Sequence, residues 1–201
     1  MQILVISGSR NRQGKTAQAI NAVCRGVVKA GGSTESIFLI EHNLERCRQC
    51  NLDGWGICRT EHRCIIEDDF VSIVEKIKLA DVLVFATPVY FMDLSESMRG
   101  FLERLRRIRF MTGAPPPIPG RPPIAYGTPA IGLCYAGGSG FGTISCAANL
   151  ERVVQTCGFD IVDMIPVRRQ NLEMKMQLLE MVGQWLNTKP VSGPLQIAPP
   201  K

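Results

Sequence analysis

MQILVISGSRNRQGKTAQAI, residues 1–20, reads as a strand, a polar loop and the start of a helix. Ile3 to Ile6 is an unbroken apolar run, and such a run suits a strand covered on both faces, as in a parallel sheet. It ends at Ser7-Gly8-Ser9. From Thr16 to Lys29 the apolar residues Ala17, Ile20, Val23 and Val27 recur at helical spacing. Gly31-Gly32 then stops the helix.

The same alternation continues down the chain. Ser36 to Ile40 predicts a second strand. Asp68 or Asp69 can cap a helix through Leu79, with Phe70, Ile73, Val74 and Ile77 on one face. Asp81 precedes the strand Val82 to Ala86, which Thr87-Pro88 is expected to stop. Ser95 to Ile108 predicts an amphipathic helix, Ala130 to Tyr135 a strand, Thr143 to Cys157 a helix, Phe159 to Val167 a strand, and Asn171 to Leu186 the last helix. These are five βα units, and right-handed crossovers place helices on both faces of a parallel sheet. Ligands of such sheets lie outside the carboxyl ends of the strands. Three of those ends carry unusual loops: Ser7 to Thr16, Thr87 to Asp93, and the glycine-rich Ala136 to Gly142.

The chain has 201 residues, 45% hydrophobic and 20% charged, which permits a full core and argues against wholesale disorder. The expected organisation is one domain over 1–190 and a tail over 191–201. That domain carries two insertions: a cysteine-containing loop at 41–66, and a loop at 113–128 with six of the thirteen prolines. The net charge of +5 is scattered except at Arg104, Arg106, Arg107 and Arg109. That cluster reads first as a solvated polar face, and second as a contact for an anionic partner. No run of about 18 apolar residues exists, and the N-terminus has no basic segment before its apolar run. A cytoplasmic protein, with no membrane and no nucleic-acid partner, is the expectation.

The first loop suits a phosphate. Free N–H groups at a helix start, and the helix dipole, favour an anion, and Arg10, Arg12 and Lys15 can neutralise charge. The Gly14-Lys15-Thr16 triplet invites an ATP-binding reading. A P-loop, however, needs glycine five residues before Gly14, and Ser9 stands there. An ordinary βα turn is the plainer alternative.

Four stretches together resemble the NAD(P)H-dependent FMN reductase family, of the flavodoxin-like superfamily, and its relatives the iron-sulfur flavoproteins. They are SGSRNRQGKT (7–16), CRQCNLDGWGICRTEHRCIIEDDF (47–70), ATPVYFMDLSESMRGFLER (86–104) and YAGGSGFG (135–142). The resemblance implies an α/β flavodoxin-like three-layer sandwich whose five-stranded parallel sheet has the order 2-1-3-4-5. It also implies non-covalent FMN. Ser9, Arg10, Gly14, Lys15 and Thr16 resemble the phosphate loop, with Lys15 where relatives often have Asn. Pro88, Val89, Tyr90, Phe91 and Met92 resemble the loop whose backbone borders the isoalloxazine. Gly137, Gly138 and Gly142 resemble the loop on the other side of the flavin. By the same resemblance NAD(P)H delivers hydride to FMN, which reduces a flavin, a quinone or a protein acceptor, and the chain forms a homodimer or homotetramer. A flavodoxin-type carrier without turnover is the alternative. Read as residues alone, Tyr90 and Phe91 also suit core aromatics, and Gly137 to Gly142 a plain turn. No side chain stands out as an obligatory acid or base.

The cysteine spacing is Cys47-x2-Cys50-x7-Cys58-x5-Cys64. In a reducing compartment clustered cysteines point to metal or redox chemistry. The iron-sulfur flavoproteins have a four-cysteine motif at this place, with a shorter middle gap. A [4Fe–4S] cluster, zinc held by four Cys or by three and His62, and free thiols all remain open. Cys24, Cys134, Cys146 and Cys157 read as small core residues.

Overall fold

A computed structural model describes residues 1–108 and 128–188. Most of the proline-rich loop, Arg109 and the tail lie outside the described residues. The chain runs β1 (Gln2–Ser7), α1 (Lys15–Lys29), β2 (Ser33–Phe38), α2 (Phe70–Leu79), β3 (Val82–Tyr90), β4 (Asp93–Leu94), α3 (Glu96–Ile108), β5 (Pro129–Ala136), α4 (Thr143–Thr156), β6 (Asp160–Arg168) and α5 (Leu172–Leu186). The parallel strands lie in the order β2-β1-β3-β5-β6, with β4 paired antiparallel to the end of β3. This is the expected order with one short hairpin strand added.

The apolar runs do what two-sided burial requires. Ile3, Leu4, Val5 and Ile6 are at most 1% exposed. Because successive side chains point to opposite faces, Leu4, Ile6, Leu83 and Phe85 pack with α2, α3 and α4. Ile3, Val5, Val82 and Val84 pack with α1 and α5 on the other side. The result is a three-layer sandwich. α1 and α5 cross where Gly26 meets Gly183, and a Cβ at Gly183 would stand 2.0 Å from the Val23 carbonyl oxygen.

Two element boundaries differ from the sequence reading. β2 occupies Ser33–Phe38, and Leu39–Glu41 turns as a short 3-10 helix. β3 does not stop at Thr87-Pro88 but continues to Tyr90. Its pairing with β1 ends at Ser7–Ala86, while pairing with β5 continues to Pro88–Tyr135. Beyond Ala86 the strand no longer pairs with β1, and the end of a ladder accommodates a residue without an N–H. Among the described residues no helix is long and apolar enough to cross a membrane.

Candidate functional site

The three unusual loops follow β1, β3 and β5, which are neighbours in the sheet. They therefore converge at one carboxyl edge. Gly14 stands before the first turn of α1 in extended backbone; no side chain caps that turn and it holds no acidic residue. Its orphan N–H groups and its dipole suit an anion. Ser9 and Thr16 are buried beside it. Ser9 Oγ donates to the Asn11 carbonyl (3.1 Å), and Gly14 N–H donates to the same oxygen (3.2 Å), which holds the loop in a tight curl. The cations of the loop are partly engaged already. Arg12 pairs with Glu41 and lies over Phe38, Arg10 pairs with Glu96 at 3.5 Å, and Lys15 donates to Gln18 at 3.1 Å.

The second loop is a β-hairpin that the sequence reading missed. Val89 pairs with Leu94 and Tyr90 with Asp93, so Phe91 and Met92 form its two-residue tip. Both are left-handed, at φ 50° and 64°. Such tips usually carry Asn or Gly, which is why the signal was absent. Non-glycine residues held there store strain, and strain of this kind gathers at ligand-binding sites. Pro88 is buried, Val89 half-buried and Tyr90 exposed at the strand end; the Phe91 ring is fully exposed.

Hydroxyls lock the first two loops together. Ser95 N–H donates to Thr87 Oγ1 (3.0 Å), and Ser97 Oγ donates to the Gly8 carbonyl (3.1 Å). Asp93 ties the hairpin outward: its carboxylate accepts from Leu94 N–H (2.8 Å) and Asn149 Nδ2 (3.2 Å) and pairs with Arg99. The third loop meets the hairpin directly at Gly142, whose φ is +77° and where a Cβ would stand 2.6 Å from Met92 Cα. Gly137 and Gly138 face open space. Beside the first loop a cavity of about 620 Å³ opens between residues 39–46 and α3, with Arg10, His42, Ser97 and Phe101 in its walls.

Arg104 is the main correction to the sequence reading. It is not part of a solvated face: its side chain is 2% exposed. Its guanidinium grips Asp68 at 2.6 and 3.0 Å, donates to the Glu45 carbonyl at 3.0 Å and to Cys64 Sγ at 3.3 Å, and lies 4.1 Å over the Phe70 ring. Three residues on, Arg107 donates to the Gly54 carbonyl (2.6 Å) and lies 4.6 Å over Trp55. α3 thus straps the cysteine loop to the sheet. Arg104 falls between Phe101 and Ile108 at helical spacing, and that position on the apolar stripe was the readable signal.

Cys47, Cys58 and Cys64 are half-buried and Cys50 is exposed. All four line one cavity of about 20 Å³ together with Arg104 and Arg107. Cys134, Cys146 and Cys157 are buried in the core, and the hydrogen bond to Cys146, together with burial, raises the Cys134 thiol pKa.

Burial works to raise the pKa values of Asp68 and Asp93. Donors outweigh it: Arg104 and the Glu45 and Phe70 N–H groups on Asp68, and Leu94 N–H, Arg99 and Asn149 on Asp93. Both values end lowered. A carboxylate with a lowered folded pKa stabilises fully above its unfolded value, about 3.9. That contribution is lost as pH falls through the lower folded value. Urea midpoints measured from pH 5 down to pH 2 are expected to fall, and to fall less in Asp93→Asn.

Comparison with known proteins accords with this geometry. The chain is 32% identical over 109 residues to an iron-sulfur flavoprotein of Methanocaldococcus jannaschii, covering 54% of each. It is 30% identical over 113 residues to one of Methanosarcina thermophila, covering 55% of this chain and 56% of that protein. The match thus spans about half the length of these relatives. Among solved structures, RosB with a bound 8-demethyl-8-formylriboflavin-5'-phosphate intermediate superposes with a TM-score of 0.68 at 21% identity, over 100% of this chain and 82% of that one. The NAD(P)H:quinone oxidoreductase of Methanothermobacter marburgensis gives 0.63 at 18%, over 92% and 96%. The family model for NADPH-dependent FMN reductases matches residues 1–177, and the chain belongs to that family.

Proposed function

We propose that residues 1–190 form one FMN-binding oxidoreductase domain that draws electrons from NAD(P)H. The observation that carries this reading is the convergence of an uncapped helix start, a strained hairpin and a glycine loop on three adjacent strand ends. These features fit FMN in kind. Ser9, Gly14, Lys15, Thr16 and Arg10 would hold the phosphate, where backbone N–H groups and cations meet. Pro88 to Met92 would border the ring with backbone and apolar atoms, and Gly137, Gly138 and Gly142 would admit it closely from the other side. Bound flavin supplies hydride acceptance and electron release. The chain supplies position: the Thr87–Ser95 and Ser97–Gly8 bonds fix the two loops, and Asp93 anchors the hairpin to α3 and α4. The exposed rings of Phe91 and Phe141 at the rim support closure of the site by a second copy of the chain.

The cysteine loop fits a [4Fe–4S] cluster in its donor set. Four thiols line one cavity. Among the described residues no three Cys, His, Asp or Glu converge closely enough for a single metal ion, whereas a cubane spreads its ligands over four irons. Cys47, Cys50, Cys58 and Cys64 would ligate it. Anaerobically purified protein is expected to show flavin absorption, to retain FMN and to oxidise NAD(P)H with added quinone or free flavin. Protein that takes up no FMN overturns the reading. FMN without NAD(P)H oxidation would make the chain a carrier.

A further inference from the structure

The cavity behind the cysteines holds two buried cationic donors that find no partner among the described residues. The Arg104 and Arg107 Nε atoms are both buried and have no hydrogen-bond partner among the described residues. Both side chains line the same cavity as Cys47, Cys50, Cys58 and Cys64. The terminal nitrogens of Arg104 donate to Asp68, Glu45 and Cys64, and Nη1 of Arg107 donates to the Gly54 carbonyl. Aromatic rings close over both guanidinium groups, Phe70 at 4.1 Å and Trp55 at 4.6 Å. Buried polar groups are ordinarily satisfied, and exceptions call for an occupant or a function. The cavity brings the four cysteines beside these groups, and one bond to sulfur, from Arg104 to Cys64, is already made.

We infer that Arg104 and Arg107 are the hydrogen-bonding counter-ions of a [4Fe–4S] cluster in this cavity and that they set its reduction potential. The inference rests on the cluster reading above. Four thiolates on a cubane core carry net negative charge in both oxidation states. One electron entering, with no bond broken and no proton moved, makes that charge more negative. Two guanidinium groups against the sulfurs favour the reduced state and raise the potential, since charge and hydrogen bonds to sulfur are the protein's means of tuning such clusters. Neither Arg touches substrate; both act through the cluster.

The test uses the full chain, purified anaerobically and reconstituted with ferrous iron and sulfide. Iron and sulfide are counted, and the midpoint is read by EPR during a dye-mediated titration. Arg107→Gln keeps the Asp68–Arg104 pair and is expected to fold. If it keeps its iron, its midpoint is expected to move negative by about tenfold in the reduction equilibrium, about 59 mV for one electron. Arg107→Lys and Arg104→Lys keep the charge with fewer forked donors and are expected to shift less. Loss of iron from Arg107→Gln with FMN retained, rescued by Arg107→Lys, also supports the inference. Full iron with an unchanged midpoint in Arg107→Gln overturns it. Wild-type protein that takes up FMN but no iron overturns both this inference and the cluster reading, while the flavin reading stands.

Discussion

Replacing Arg104 by Leu is expected to lower the free energy of unfolding by about 3–5 kcal/mol, the cost of removing one partner from a buried ion pair. The reason is Asp68. Its side chain is 1% exposed, and without the guanidinium it either stays charged in a poor solvent or takes up a proton. The Glu45 carbonyl loses a donor in the same step. Urea denaturation of the apo protein at neutral pH reads the change. Adding Asp68→Asn to Arg104→Leu is expected to recover part of the loss, because the amide oxygen can still accept from one of the Glu45 and Phe70 N–H groups while the stranded charge is gone. A loss below about 1 kcal/mol in the single variant, the scale of an exposed pair, would show that the cluster is solvated.

That pair also explains how α3 serves two regions. Its first residues follow Ser95, the residue bound to Thr87 at the candidate flavin edge. Two turns later the same helix carries Arg104 and Arg107 into the cysteine loop. A rigid helix rises about 1.5 Å per residue, so Ser95 and Arg104 are held roughly 14 Å apart along its axis. A helix whose apolar stripe is buried at Met98, Phe101, Leu102, Leu105 and Ile108 maintains that separation.

The parts legible in the sequence were those set by local pattern. Ile3 to Ile6 and Val82 to Ala86 announce two-sided burial by having no polar residue, and both are central strands. The convergence of three loops follows from strand order, which handed crossovers restrict. What was hidden depends on tertiary partners. Pro88 looks like a strand stop until the end of the β1 pairing at Ala86 is known. Phe91-Met92 lacks the residues that ordinarily mark a hairpin tip, because packing against Gly142 and pairing across β4 impose the left-handed backbone. Arg104 reads as one member of a charge run because Asp68 lies 36 residues away. The residues from His42 to Asp69 carry no periodicity, and their order comes from side-chain ties rather than from helix or strand.

A pair of glycine substitutions separates the fold of the third loop from its contact with flavin. Gly142→Ala forces a Cβ into left-handed backbone at φ +77° and to 2.6 Å from Met92 Cα, a main-chain atom that cannot swing aside. The expected loss of apo stability is about 2–4 kcal/mol, summing left-handed strain and overpacking, and FMN affinity should fall with it. Gly137→Ala meets nothing within 4 Å. Its apo stability should stay within about 0.5 kcal/mol of wild type, yet a methyl group there occupies the space in which a flavin would lie. FMN titration by fluorescence quenching is expected to show at least a tenfold weaker complex, about 1.4 kcal/mol, for Gly137→Ala at unchanged stability. Wild-type affinity in Gly137→Ala would remove this loop from the flavin's border, and would leave Gly142 as a residue of hairpin packing alone.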